Sequence, residues 1–210
     1  MKSETFNMDC IEGMKQYPDK YFDLAIVDPP YGLGLIKTEA GNWGIRKENK
    51  GSIKKGTNWD FKKPSKKYFK ELFRVSKNQI IWGGNHFIEN IPKANSSCWI
   101  IWDKNNGDSY FADAELAWTS FKTAVRIFQK NNMDKNKIHI AQKPIYLYRW
   151  ILNKYAQQGD KILDTHLGSQ SSRIAAYGMG FDFTGFELDK EYFDAGNKRF
   201  EQFKSQLTLF

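Results

Sequence analysis

The chain has 210 residues, a length that suits one domain with room for a small insertion. Its two cysteines are too few for a disulfide framework or a cysteine zinc site, and no apolar run approaches the roughly 20 residues of a membrane span. The first residues also lack the apolar core of a signal peptide. We therefore expect one reduced, cytoplasmic domain over 1–210 with no membrane partner.

The net charge of +8 is concentrated in one segment. Between Gly32 and Lys70 the chain has eleven basic and three acidic residues, so this segment carries the whole excess. Trp43, Trp59 and Phe61 alternate with its lysines, a composition typical of surfaces that bind nucleic acid. A solvated lysine-rich loop is the alternative. We expect a basic mobile loop over 32–63 that faces a polyanion.

Strand-like and helix-like segments alternate along the chain, which is typical of a wound α/β sheet. In chain order, the patterns predict strand 5–10, a brief helix, strand 22–28, helix 65–76, strands 78–84, 97–103 and 114–121, helix 144–156, strand 161–166, helix 171–180, strand 181–189 and helix 190–207. Pro144 is expected at the first position of its helix, and Ser171 and Ser172 are available as caps of the next. These elements predict a mixed, mostly parallel sheet of about seven strands with helices on both faces.

The strand over 22–28 ends in the unusual sequence Asp28, Pro29, Pro30, Tyr31. Neither proline has a backbone N–H to continue a sheet ladder. A carboxylate, a backbone carbonyl and an aromatic ring are thus left at the carboxyl end of a strand, where open α/β sheets bind ligands.

Residues 162–189 have the pattern of a nucleotide-binding βαβ unit. Gly168, Ser169 and Ser171 form a loop of small residues at the predicted helix start, and Glu187 ends the second strand 19 residues after Gly168. An acid at that separation accepts hydrogen bonds from ribose hydroxyls in such units. The motifs GxGxxG and GxxxxGK[ST] are both missing, which disfavours a dinucleotide and excludes a P-loop. An ordinary α/β unit with an incidental acid is the alternative.

Taken together, four motifs resemble the amino-methyltransferases of DNA, in the permuted class whose catalytic motif precedes the cofactor motif. They are DPPY at 28–31, HIAQKP at 139–144, DTHLGS at 164–169 and GFELD at 185–189. The resemblance covers most of the chain. It implies a Rossmann-like S-adenosylmethionine-dependent methyltransferase fold, no metal, and methylation of the N6 amine of a flipped adenine in double-stranded DNA in a bacterial cell.

The resemblance also assigns roles at the DPPY motif. Asp28 and the carbonyl of Pro29 accept the two N–H groups of the target amine, and Pro30 helps to fix the direction of that carbonyl. Tyr31 offers a ring on which the flipped base stacks.

The other roles implied by the resemblance concern S-adenosylmethionine. Glu187 is expected at the ribose, Asp9 and the backbone of Cys10 near the adenine, and Lys143 near the methionine carboxylate. Gly168, Ser169 and Ser171 are expected to line the same end of the site, with His166 beside them. For Cys10 a small core residue, and for His166 a packing histidine, remain the alternatives.

The chain departs from the family pattern in its cofactor loop and in its length. Thr165 and His166 replace Pro-Phe, and Gln170 stands where the family has glycine, so Gln170 is strained or the loop is rearranged if that position needs a positive φ. Residues 103–137 form a possible small target-recognition segment, and so short a reader needs a homodimer partner or reads only a few bases. N4-cytosine methylation, an RNA substrate and a catalytically silent DNA-binding relative stay open, as does a restriction endonuclease partner.

Overall fold

The computed structural model describes residues 1–33, 35–37, 43–45, 62–107, 112–131, 137–139 and 141–207, with the backbone alone for 35–37 and 43–45. Most of the predicted basic loop, including Trp59 and Phe61, lies outside the described residues, as do parts of the 103–137 segment.

Ten strands and five α-helices occur in the described part of the chain. The strands are β1 (Ser3–Asn7), β2 (Phe22–Val27), β3 (Leu35–Lys37), β4 (Trp43–Ile45), β5 (Ser76–Trp82), β6 (Trp99–Asp103), β7 (Ala114–Thr119), β8 (Arg126–Gln129), β9 (Lys161–Asp164) and β10 (Asp182–Glu187). The helices are α1 (Cys10–Met14), α2 (Lys66–Val75), α3 (Ile145–Tyr155), α4 (Ser171–Gly178) and α5 (Lys190–Leu207).

Eight of the strands form one sheet in the order β1-β10-β9-β2-β5-β7-β6-β8. The first five run parallel to one another, β7 is antiparallel to both of its neighbours, and β8 is parallel to β6. Strand β1 pairs with β10, with Asn7 opposite Glu187, so the two ends of the described chain complete one sheet. Strands β3 and β4 form a separate two-stranded ribbon.

The predicted mixed, mostly parallel α/β sheet is confirmed, and within the described residues it has eight strands where about seven were expected. The additional strand is β8, an edge strand in which Ile127 is 64% exposed. Because one face of β8 is not buried, its four residues show no hydrophobic alternation that would mark a strand.

Both faces of the sheet are covered, and β2 shows how. Leu24 and Ile26 pack into a core layer with α3 and α4, whereas Ala25 and Val27 pack into the opposite layer with α2. Successive side chains of a strand point to opposite faces, so this continuous apolar run fills both layers. The alternation places the next residue, Asp28, toward the layer that contains α3.

Helix starts agree with the sequence in part. The Asp9 carboxylate accepts from the N–H groups of Ile11 and Glu12 and caps α1, and the Ser65 hydroxyl accepts from Tyr68 N and caps α2. Pro144 was expected as the first residue of α3, but it is the extended residue just before that helix. The expectation that serines cap α4 is wrong, because Gln170 is the N-cap residue and no side chain caps that helix.

No helix in the described ranges is both long and apolar enough to cross a membrane. Within the same ranges, no group of three or more His, Cys, Asp or Glu side chains could hold a metal ion.

Candidate active site

A cavity of about 510 Å³ lies at the carboxyl ends of four adjacent parallel strands, β1, β10, β9 and β2. Every site residue predicted from the sequence lines it: Asp9, Cys10, Asp28, Pro29, Pro30, Tyr31, Lys143, His166, Gly168, Ser169, Ser171 and Glu187. Parallel strands put their carboxyl ends at one edge of a sheet, which brings together segments that lie up to about 180 residues apart in the chain.

The DPPY corner forms one end of this cavity, with Asp28 at its centre. The side chain of Asp28 is 14% exposed, and each of its oxygens accepts a hydrogen bond. Tyr31 donates its hydroxyl to Oδ1 over 2.7 Å, and Lys143 donates Nζ to Oδ2 over 2.5 Å. Burial raises the pKa of Asp28, and the positive charge of Lys143 opposes that shift.

Lys143 was expected near a carboxylate of the cofactor, but its side chain is only 3% exposed and is directed at Asp28. Its Nζ also lies 3.3 Å from the Tyr31 hydroxyl and 2.9 Å from Glu115 Oε2. Burial alone would lower the pKa of Lys143, but Asp28 and Glu115 together outweigh it and raise that pKa. Lys143 is therefore a buried cation held between two carboxylates.

Glu115, on β7, is a functional candidate that the sequence reading missed. Burial would raise its pKa, but Lys143 and Lys104 lower that pKa to about 2, so the side chain is ionised. Lys104 lies 2.7 Å from Oε1. The sequence of β7 is that of an ordinary core strand. Glu115 reaches this corner because β7 lies antiparallel beside β5, which is known only from the sheet order.

Tyr31 has a neighbour where the sequence predicted space for a base. The imidazole of His86 stacks against its ring, with centroids 5.0 Å apart and planes 20° from parallel. The ring also lies against Gly83, where an added Cβ would come within 2.2 Å of the Tyr31 ring atom Cε1. Only glycine fits there, so Gly83 and His86 hold Tyr31 with its hydroxyl on Asp28. A stacking base has to share or replace the position of His86.

At the other end of the cavity, Glu187 is held by the backbone. Its Oε2 accepts from Gly168 N over 2.8 Å and its Oε1 accepts from Asp189 N over 2.9 Å. Burial raises the pKa of Glu187, while these backbone donors oppose the shift. The carboxylate is thus fixed in direction and keeps lone pairs that can accept from ligand hydroxyls.

Asp9 and Cys10 lie beside Glu187 because β1 runs next to β10. One oxygen of Asp9, Oδ1, caps α1 by accepting from backbone N–H groups of that helix. Burial and the neighbouring Asp9 raise the pKa of the Cys10 thiol to about 12, so Cys10 is a neutral wall residue rather than a nucleophile.

The loop before α4 keeps the conformation of a small-residue loop despite Gln170. Gln170 adopts φ 58°, the left-handed region that glycine favours, and its side chain turns away from the cavity toward α5. Ser169 and Ser171 share a hydroxyl–hydroxyl hydrogen bond of 3.1 Å, and Arg199 donates to the Ser169 carbonyl and the Ser171 hydroxyl. The predicted strain is therefore present, while the cavity wall is intact.

His166 lines the cavity and also packs. Its Nδ1 lies 2.9 Å from the Thr165 hydroxyl, and its ring meets Tyr68 edge-on with centroids 5.3 Å apart. Burial lowers its pKa to about 4, so the imidazole is neutral near pH 7. The Thr165–His166 variant thus supplies polar packing beside the cavity.

Two further wall residues, His139 and Tyr192, were not singled out as site residues from the sequence, although His139 begins the HIAQKP motif. His139 meets Tyr192 with ring centroids 4.4 Å apart, and both line the cavity near Glu187. Burial lowers the pKa of His139 to about 4. Tyr192 follows Asp189 in the first turn of α5, and a helical pattern alone does not tell which of its residues face a ligand.

Comparisons with known proteins bear on the family resemblance and on the fold. Residues 118–198 match the family model described as DNA methylase, which groups N6 and N4 enzymes. The Type II methyltransferase M.HinfI from Haemophilus influenzae is 25% identical in sequence, and the alignment covers 93% of this chain and 67% of M.HinfI. The M1.HpyAVI–SAM complex superposes with a TM-score of 0.63 at 19% identity, covering 93% of this chain and 98% of that one. PvuII DNA methyltransferase, described as cytosine-N4-specific, superposes with a TM-score of 0.64 at 14% identity. That superposition covers 98% of this chain and 91% of the PvuII enzyme. The resemblance to N6/N4 DNA methylases is confirmed, and so is the methyltransferase fold.

Proposed function

We propose that this chain, a DNA methyltransferase of the N6/N4 family, transfers a methyl group from S-adenosylmethionine to the N6 amine of an adenine turned out of double-stranded DNA. The observation that carries the proposal is one cavity with the DPPY corner at one end and the anchored Glu187 at the other. An acceptor for an amine and an acceptor for a ribose thus open into the same space.

The residues present fit S-adenosylmethionine. Glu187 is oriented by two backbone N–H groups and has lone pairs left for two hydroxyls. Met8, Leu167 and Leu188 give apolar walls for a flat ring, and Tyr192 adds an aromatic one. When bound, S-adenosylmethionine supplies an electrophilic methyl group on a sulfonium that is already a good leaving group.

The DPPY corner supplies what an exocyclic amine lacks. The lone pair of such an amine is delocalised into its ring, which makes it a poor nucleophile. Asp28 can accept one N–H and the Pro29 carbonyl the other, and two acceptors favour a more tetrahedral nitrogen with a directed lone pair. The methylated nitrogen carries one proton in excess, and we assign Asp28, whose pKa is raised by burial, as the group that receives it.

Exposed lysines near the cavity mouth support DNA as the partner. Lys62, Lys63, Lys66, Lys67 and Lys70 are all exposed on α2 and the segment before it. Lys63 donates Nζ to the His86 carbonyl over 3.2 Å, which places this positive surface beside the Tyr31–His86 stack. Phosphates of a duplex whose base enters the cavity would meet these charges. We further propose that the short 103–137 segment reads few bases or acts with a second subunit.

The test uses wild-type protein, S-adenosylmethionine with a deuterated methyl group, and DNA from a host without methyltransferases. The DNA is digested to nucleosides and analysed by mass spectrometry, with a reaction lacking protein as the control. We expect labelled N6-methyladenine. Labelled N4-methylcytosine would overturn the choice of base, and no labelled nucleoside despite DNA binding would favour the silent relative.

A further inference from the structure

Each oxygen of the catalytic carboxylate already accepts one hydrogen bond before any substrate arrives. Oδ1 of Asp28 accepts from Tyr31 and Oδ2 accepts from Lys143 at 2.5 Å. The bond from Lys143 is the stronger, because it is charge-assisted and buried. A target amine that donates to Oδ2 of Asp28 therefore shares that oxygen with the Lys143 ammonium, whose charge makes it a weaker acceptor.

Lys143 has a second anion within reach. Its Nζ lies 2.9 Å from Glu115 Oε2, an ion-pair distance, yet that oxygen is buried and receives no hydrogen bond of standard geometry. A buried carboxylate oxygen without an aligned donor is unusual. A small shift of Nζ toward Glu115 would give Oε2 an aligned N–H and lengthen the bond from Lys143 to Asp28.

We propose that Glu115 is a positioning residue that draws Lys143 toward itself when the target amine enters, which makes Oδ2 of Asp28 a stronger acceptor for an amine N–H. The proposal rests on the proposed function. Lys143 stays paired in both positions, so the buried ammonium never has to be stranded without a counter-ion. Without Glu115, releasing Asp28 would leave that charge alone in a site where only 3% of the side chain is exposed.

The charges of the cluster support this exchange. Asp28 and Glu115 contribute two negative charges, and Lys143 and Lys104 contribute two positive charges, so each carboxylate has a lysine partner. During transfer the N–C bond forms from the nitrogen lone pair, the S–C bond breaks with its electron pair passing to sulfur, and the nitrogen becomes positive. As Lys143 shifts toward Glu115, the negative charge of Asp28 is less neutralised and stabilises the positive nitrogen beside it.

The test compares Glu115→Gln with wild type in single-turnover methylation of DNA, which isolates the chemical step from product release. Glu71→Gln is the matched control, because Glu71 also forms a partly buried ion pair, with Arg74 on α2, but lies outside the cavity. We expect Glu115→Gln to slow transfer at least about tenfold, with donor affinity by calorimetry unchanged. Glu71→Gln should transfer at the wild-type rate.

The pH profile separates this role from a merely structural one. The groups that act on Asp28 are Lys143, Glu115 and Tyr31, with Asp164, Tyr68 and Tyr148 farther away. The negative charge of Glu115 raises the pKa of Asp28, so its removal should move the acid limb of the transfer rate to lower pH. Glu115→Asp keeps the charge and should restore the position of the limb and part of the rate.

A wild-type transfer rate in Glu115→Gln would overturn the proposal. So would an equal loss of transfer rate and donor affinity without a shift in the acid limb of the pH profile. If wild type itself transfers no methyl group, the proposed function fails instead, which is a separate result.

Discussion

Replacing Gln170 with glycine tests how the cofactor loop tolerates a residue where the family has glycine. The left-handed conformation of Gln170 costs about 1–2 kcal/mol, which glycine would recover. The buried side chain, however, accepts from Arg173 Nη1 over 2.8 Å and donates to Asn197 Oδ1 over 3.1 Å. Losing a charge-assisted bond of about 1.5–3 kcal/mol and a neutral one of about 1 kcal/mol outweighs the recovered strain.

We therefore expect Gln170→Gly to lower the free energy of unfolding by about 1–2 kcal/mol, or Tm by about 2–8 °C for a chain of this size. Donor affinity should be unchanged, because the Gln170 side chain is directed away from the cavity toward α5. Thermal unfolding and calorimetry measure the two quantities. A higher Tm would show that strain dominates, and a large loss of donor affinity would show that Gln170 shapes the cavity.

The neighbour of Gln170 provides an internal check. A Cβ at Gly196 would come within 2.6 Å of Gln170 Cγ, so Gly196→Ala should destabilise the wild type. In the Gln170→Gly background the same alanine fills vacated space and gains about 1 kcal/mol of helix propensity. The two substitutions should therefore compensate each other, and simple additivity would refute this packing account.

Three further variants, one of them a double substitution, test separate parts of the protein. Glu187→Gln should weaken donor binding at least about tenfold without changing DNA affinity, as measured by titration of each ligand, and equal losses would contradict the ribose role. Burial raises the pKa of Asp164 to about 7, so the folded state holds a proton there that the unfolded state releases, and stability falls as pH rises from about 4 to 7. Asp164→Asn mimics the protonated acid, and its free energy of unfolding should rise by up to about 4 kcal/mol relative to wild type across that window. The same difference between the two proteins at pH 5 and at pH 8 would be inconsistent with this reasoning. Charge reversal at Lys62 and Lys66 should reduce the slope of log affinity against log salt for duplex DNA by about one per lost phosphate contact, and an unchanged slope would remove these lysines from the interface.

Much of the sheet could be read from the sequence because its signals are local. The apolar run of β2 and the prolines after it predict a buried strand that stops at Asp28, and the βαβ pattern predicts the placement of Glu187. The pairing of β1 with β10 agrees with the permuted order of the motifs. Strand β8 was missed because an exposed edge strand lacks a buried face.

The contacts inside the site depend on sheet order and side-chain direction, which no local pattern encodes. Lys143 belongs to the HIAQKP motif, which predicts its place at the cavity. Its partner Glu115 lies on an antiparallel strand outside that motif. Likewise, the strained backbone at Gln170 could be predicted from a missing glycine. The space that Gly196 leaves for the Gln170 side chain could not, because it depends on the packing of α5 against the loop.

The most direct test of the central assignment is the single-turnover transfer rate of Asp28→Ala, measured together with its donor affinity. Removing the carboxylate deletes one of the two acceptors for the target amine but leaves Lys143 paired with Glu115 and the Glu187 end of the cavity untouched. We expect a loss of at least about a hundredfold in transfer with donor affinity unchanged. Transfer at the wild-type rate by a folded Asp28→Ala protein would contradict it.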